Sequence, residues 1–367
     1  MSPEAPTAVR SLSAVPLNIP LRAPFGISGG SLEIAANVLA TIELSDGTLG
    51  YGEAAPFPAY NGETQPAALE HLAAAATWLP GRDAADWKGI SAEFRARYGP
   101  ACGSAACALE SALLDGFVRR KGIPLWRFFG GAGTELETDM TVTLGSPAEA
   151  AEAARGIRRR GIRAIKVKVG GRGGPEADMT RIAAIVEAAP DSPLILDGNA
   201  GIGRENARSL VKALKANGIE PALLEQWLAK DDLAGMCALR VESGWRVAAD
   251  ESVTTAADAR RLADAGAADV INVKLMKAGI VEALEVVSAA RSAGIGLMIG
   301  GNVESILGMT VSACFAAGLG GFAFADLDTP LFMAENPFEG GFSMEGGCIS
   351  VSRIGLGHGV VPKERRK

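Results

Sequence analysis

The sequence predicts a mixed α/β fold: a (β/α)7β modified TIM barrel with an N-terminal α+β capping domain. Three observations carry that expectation. From Thr138 onward, short aliphatic runs alternate with longer helical stretches, and a new run starts roughly every 25 residues, the period of one βα unit. Charged residues recur at the C-terminal ends of those runs. Before Thr138 the order differs, with extended segments first and helical stretches after them.

Residues 9–19 and 36–44 are rich in β-branched and aliphatic side chains, and Asp46-Gly47 is a hairpin signal leading into Gly50-Tyr51-Gly52-Glu53. Helical stretches at 66–78, 84–97 and 104–121 complete a capping domain over 1–132. The barrel, over 133–330, takes strands at 140–144, 164–169, 194–198, 222–226, 247–250, 270–274, 295–299 and 322–327. Between them lie helices that include 148–160, 177–189, 205–216, 256–265 and 281–293. Residues 329–347 are dense in Pro and Gly, so no eighth helix is expected, and 331–367 should return to the capping domain.

The chain has 367 residues, 48% hydrophobic and 21% charged, enough for substantial cores. Its formal net charge of −6 argues against nucleic acid or an anionic membrane as partner. No signal-peptide pattern opens it, and no run of about 18 apolar residues predicts a membrane span. Cys102, Cys107, Cys237, Cys314 and Cys348 form no Cys-x-x-Cys, which fits reduced thiols and a cytoplasmic protein. Only His71 and His358 are present, so a histidine-rich metal centre is excluded. Gly26-Ile27-Ser28-Gly29-Gly30 matches a nucleophile elbow formally, but Pro24 precedes it and an extended segment follows, so no hydrolase triad is expected.

The strand-end residues point to chemistry. In Ile165-Lys166-Val167-Lys168-Val169 both lysines share one face. Later strands end in Asp197 and Asn199, Glu225, Asp250 and Glu251, Lys274, and Asp326 and Asp328. From Lys168 to Asp197, Glu225, Asp250 and Lys274, each step is roughly one βα unit, which gathers these residues at the barrel mouth. Asp197, Glu225 and Asp250 on neighbouring strands make a hard oxygen site, for Mg2+ or Mn2+. Lysines on the second and sixth strands flank that metal, and a cation beside a buried lysine lowers its pKa so that it can act as a base. Two such bases facing a metal-bound carboxylate suit removal of an α-proton on one face and its return on the other.

Several stretches carry a family resemblance: Lys166-Val167-Lys168, Leu196-Asp197-Gly198-Asn199, Leu224-Glu225-Gln226, Ala249-Asp250-Glu251-Ser252 and Asn272-Val273-Lys274-Leu275-Met276-Lys277. With Gly50-Tyr51-Gly52-Glu53-Ala54-Ala55-Pro56 and Gly122-Ile123-Pro124-Leu125, they resemble the enolase superfamily, in its muconate-lactonizing-enzyme subgroup, from Val9 to Gly357. Asp326-Leu327-Asp328 resembles the Asp-x-Asp motif with which dipeptide epimerases hold the free α-ammonium group. The resemblance implies a 1,1-proton transfer at the α-carbon of the C-terminal residue of a dipeptide. It makes Lys168 and Lys274 the exchanging bases and Asp197, Glu225 and Asp250 the Mg2+ ligands. It gives substrate contacts to Thr141, Lys166, Asn302, Val303, Asp326 and Asp328, with Asn199 and Glu251 bracing the ligands. A homo-oligomer is also expected. N-acylamino-acid racemase, o-succinylbenzoate synthase and a catalytically silent barrel scaffold are the alternatives. The first two take substrates without a free ammonium.

Two departures from the family bear on specificity. Members acting on Ala-Glu carry an Arg in the first capping loop, here 25–31, where Gly30 takes its place; Arg22 lies before Pro24. The expected C-terminal side chain is therefore apolar or small. Gly198 and Ala200 flank Asn199 where relatives often carry Ala and Gln, and Trp227 replaces a common Pro. The loops at 25–31 and 56–61 should close over the mouth and choose the side chain.

Overall fold

The computed structural model describes residues 7–27 and 30–364. The chain opens with an antiparallel sheet of Val9–Ile27, Gly30–Leu44 and Leu49–Ala54. The first strand continues past residue 19. A register shift between Pro20 and Phe25 absorbs the stretch containing Pro20 and Pro24, which have no N–H for the ladder. Ser28 and Gly29, the centre of the first capping loop, lie outside the described residues.

Helix Gly103–Arg120 packs on this sheet at two glycines. A Cβ on Gly50 would stand 2.1 Å from the Ala112 carbonyl oxygen, and one on Gly52 2.0 Å from that of Ala108, so only glycine lets backbone meet backbone here. By length and composition the stretch Pro100–Arg120 could cross a membrane, although Glu110 and Asp115 interrupt its apolar run. Yet 89% of that window is buried inside the protein, and the helix forms the middle of the capping domain. Helices Gln65–Ala75 and Trp87–Tyr98 pack beside it.

Eight parallel strands follow, each paired with the next in sequence: Met140–Val142, Ile165–Lys168, Leu194–Asp197, Leu223–Glu225, Val247–Ala249, Val270–Lys274, Gly296–Gly300 and Phe322–Ala325. A parallel bridge between Thr138 and Ala325 joins the last strand to the first. Helices follow strands one to seven: Pro147–Arg159, Gly174–Ala188, Arg204–Ala216, Leu233–Ser243, Ala256–Asp264, Leu275–Ser292 and Ile306–Leu319. After strand eight comes only the short turn Thr329–Phe332, so the barrel is (β/α)7β as expected.

Two carboxylates of the capping domain seat on barrel helices. The sixth helix begins directly after Lys274, not near residue 281, and breaks at Gly279 (φ 80°). There Glu110 accepts the N–H groups of Ile280 and Val281, and a Cβ on Gly279 would lie 2.6 Å from its Oε2. At the seventh helix, Glu53 accepts from Ser305 N and Gly308 N, both at 2.9 Å, and from Ser305 Oγ at 2.5 Å. Unpaired N–H groups and the helix dipole both favour an anion at such ends.

Beyond residue 332 the chain turns back. Phe338–Gly340 pairs with Val360–Pro362, and Cys348–Ser350 pairs with both Ser343–Glu345 and Glu135–Glu137. Met333 bridges to Leu21, and Gly357 to Pro124. His358 is buried against the capping domain: its N–H donates to Asp115 Oδ1 at 3.0 Å, and its Nε2 lies 3.0 Å from Tyr51 O and 3.1 Å from Asp115 Oδ2.

Candidate active site

Strand alternation builds the site in layers. Ile195, Leu223, Ala248, Val270, Met298 and Phe324 form an apolar cluster inside the barrel. Two residues further along, on the same faces, come Asp197, Glu225, Asp250, Asn272, Gly300 and Asp326. One step of the pleat thus turns an apolar floor into a polar ring. The opposite faces send Val167, Leu196, Leu224, Ala249, Val273 and Ile299 into the core under the helices.

Lysines and carboxylates interlock in that ring. Lys166 Nζ lies 2.7 Å from Asp326 Oδ2, 2.9 Å from Glu225 Oε2 and 3.0 Å from Asp197 Oδ2. Lys168 Nζ is 2.6 Å from Asp197 Oδ2. On the other side of the barrel, Lys274 Nζ lies 2.9 Å from Asp250 Oδ2, and Lys277 Nζ 2.7 Å from Asp250 Oδ1. Asn272 donates to Glu225 Oε1 at 2.8 Å. Burial would raise Asp197 and Asp250, but Lys166 and Lys168 hold the first down to about 2, and Lys274 and Lys277 hold the second well below its ordinary value. Glu225 is raised, by burial and then by Asp197 and Asp250, against the pull of Lys166. Burial pulls Lys274 down most strongly, but Asp250, Glu225 and Glu251 together outweigh it and raise the group above its ordinary value.

Four buried lysines, Lys166, Lys168, Lys274 and Lys277, face six buried acids, Asp139, Asp197, Glu225, Asp250, Asp326 and Asp328. The acids outnumber the lysines, and burial leaves Glu225, Asp139 and Asp328 reluctant to ionise. An all-oxygen set short of positive charge fits Mg2+ at Asp197, Glu225 and Asp250. These three are turned onto lysines and do not converge tightly. Among the described residues, the acids whose oxygens all lie within 4.8 Å of one another are Asp139, Asp326 and Asp328. In that second group, Asp328 Oδ2 accepts from Thr141 N at 2.7 Å. Burial and then Asp326 push the Asp328 carboxyl up to about 7.

At the mouth, a cavity is lined by Phe57, Tyr60, Thr141, Lys168, Asn199, Lys274, Asn302, Asp326 and Asp328. Asn199, at φ 42°, donates its N–H to Asp197 Oδ1 at 2.9 Å and reaches Glu251 Oε1 at 3.4 Å through Nδ2. Burial, with Asp250 and Asp197, pushes Glu251 up to about 8. Asn302 Nδ2 holds Ala55 O at 2.9 Å. Val303 does not line the cavity. It packs with Ile19, Ala35, Phe57 and Met333, and its carbonyl accepts from Asn37 Nδ2 at 2.9 Å. Two of the family departures explain each other: a Cβ on Gly198 would stand 2.7 Å from Trp227 Cα, and Trp227 Nε1 donates to Leu196 O at 2.8 Å.

Four further residues belong to the site. Asn272 and Asp139 share strand faces with Lys274 and Thr141, a spacing that could have marked them. Lys277 sits one turn into a helix that a strand pattern does not reveal. Tyr60, on the short helix Pro58–Asn61, donates to Asp250 Oδ1 at 3.0 Å and holds its ring 4.8 Å from Lys274 Nζ. No local sequence signal ties Tyr60 to a strand roughly 190 residues away.

Comparison with known proteins matches residues 10–130 to the family model described as mandelate racemase / muconate lactonizing enzyme, N-terminal domain, and 148–366 to one described as enolase C-terminal domain-like. An "aromatic dipeptide epimerase" of Herpetosiphon aurantiacus is 49% identical over 358 residues, 97% of this chain and 99% of that protein. A mandelate racemase/muconate lactonizing enzyme structure from Roseiflexus sp. superposes with a TM-score of 0.92 at 52% identity, covering 98% of this chain and 99% of that one. The dipeptide epimerase of Enterococcus faecalis, solved with Mg and L-Leu-L-Tyr, superposes with a TM-score of 0.90 at 31% identity, covering 96% and 99%.

Proposed function

Since this chain belongs to the mandelate racemase/muconate lactonizing enzyme family of the enolase superfamily, we propose that it is a Mg2+-dependent dipeptide epimerase. The reaction inverts the α-carbon of the C-terminal residue of a dipeptide with an apolar or small side chain there. One observation carries the reading: Lys168 and Lys274 face each other across the carboxylate ring, with Asp326 and Asp328 beside them. Names and bound ligands of relatives support it, namely an aromatic dipeptide epimerase at 49% identity and a related epimerase holding Mg and L-Leu-L-Tyr.

Asp197, Glu225 and Asp250 would hold Mg2+, which supplies Lewis-acid stabilisation of charge developing on the substrate carboxylate. Lys166 adds positive charge on the same side. Of Lys168 and Lys274, the neutral one takes the α-proton and the protonated one returns a proton to the opposite face. Asp326 and Asp328 bind the α-ammonium and so fix which α-carbon lies between the lysines. The rings of Phe57 and Tyr60 line the cavity and suit an apolar side chain. Arg22 is exposed, and Gly30 offers no cation for a glutamate substrate.

Proton NMR in D2O with Mg2+ tests the proposal. L-Ala-L-Phe or L-Ala-L-Leu should lose the C-terminal α-proton signal as the L,D diastereomer appears, with L-Ala-L-Glu at least about tenfold slower. Lys168→Ala and Lys274→Ala should each abolish epimerisation, about 10²–10⁴-fold, while sparing exchange of opposite diastereomers. Exchange confined to N-succinylamino acids would overturn the dipeptide assignment.

A further inference from the structure

Resting on that reading, the geometry points to Asp139 as the third wall of a cup that binds the primary ammonium group of the substrate. Asp139 precedes the first barrel strand, shares a face with Thr141 and is 1% exposed. Among the described residues, neither of its carboxylate oxygens has a hydrogen-bond donor, and Asp328 Oδ1 has none. Buried carboxylate oxygens are nearly always paired, so these three acceptors call for donors from outside the chain. Lys166 does not supply them: its Nζ is committed to Asp326, Glu225 and Asp197.

The shape fits one donor group. Single oxygens of Asp139, Asp326 and Asp328 all lie within 4.8 Å of one another. At that limit, the centre of the triangle is about 2.8 Å from each oxygen, the length of a charge-assisted N–H···O bond. A primary ammonium carries three N–H bonds arranged as a tripod and can give one to each wall. With two walls, one N–H would be left without a carboxylate. Asp139 therefore makes the site selective for an unsubstituted amino terminus.

Three substrate forms test this: L-Ala-L-Phe, N-methyl-L-Ala-L-Phe, and the des-amino analogue N-propionyl-L-phenylalanine. In the unaltered protein the N-methyl dipeptide, with one N–H fewer, should show a KM at least tenfold above that of L-Ala-L-Phe. In Asp139→Asn that gap should shrink below threefold. The same variant should raise the KM of L-Ala-L-Phe at least tenfold more than the competitive Ki of N-propionyl-L-phenylalanine. An equal rise in both constants, or an unaltered protein indifferent to N-methylation, would remove Asp139 from ammonium binding. A KM that climbs with added K+, or with Mg2+ beyond saturation, would place a metal ion in the cup and overturn the proposal. If the unaltered protein exchanges no dipeptide α-proton at all, the epimerase reading falls instead. The comparison made on the unaltered protein does not depend on how the variant folds.

Discussion

Asp328 shows how a single buried acid shapes the pH behaviour of the site. Burial and Asp326 push its carboxyl up to about 7, so below that pH it takes a proton and loses the charge that draws the ammonium. The substrate amine loses its own charge above about 8. Dipeptide kcat/KM should therefore fall up to about tenfold per pH unit below 7, fall again above 8, and lose its acid limb in Asp328→Asn. A flat profile from pH 5.5 to 7.5 would contradict this. The residues visible from sequence were those whose spacing repeats with the βα period, such as Asp197, Glu225 and Asp250. Val303, which the resemblance puts at the substrate, turns its side chain into the contact with Ile19, Ala35, Phe57 and Met333. Tyr60 reaches Asp250 through tertiary packing, which periodicity does not encode.

At the level of elements, the start of the seventh helix holds two acids, Glu53 and Glu304, both fully buried. Burial and then Glu53 push Glu304 up to about 8 from an ordinary 4.5. Between those values the folded chain keeps a proton that the unfolded chain releases. The native state binds more protons there, so stability falls as pH rises through that window and levels off above 8. Tm should drop by several degrees from pH 6 to 8.5, and Glu304→Gln should flatten the drop; equal slopes in both proteins would refute it. The sequence marks Pro147–Arg159 and Arg204–Ala216 well because each carries a buried stripe and a polar face. It marks Ile306–Leu319 poorly, because a helix buried on nearly all sides shows no period. The early start of Leu275–Ser292 was hidden because Gly279 breaks it to admit Glu110 from another domain.

Across the whole molecule, the surplus of carboxylates at the mouth makes the cation an activity requirement laid over a fold that already has its core. EDTA should abolish α-proton exchange while leaving the far-UV circular dichroism unchanged, and saturating Mg2+ should raise Tm by mass action. Retained exchange after chelation would refute the metal assignment. The barrel and its missing eighth helix were legible because strand period and Pro/Gly density are local features. The return of residues 333–362 onto the N-terminal domain makes the two segments depend on each other. Asp115 leaves the ribosome 243 residues before His358, its buried partner. At usual translation rates the interval is roughly 10 to 50 s. During that time Asp115 has Arg119 within reach as a partner but not His358, so this half of the protein can lock only after residue 358 has emerged.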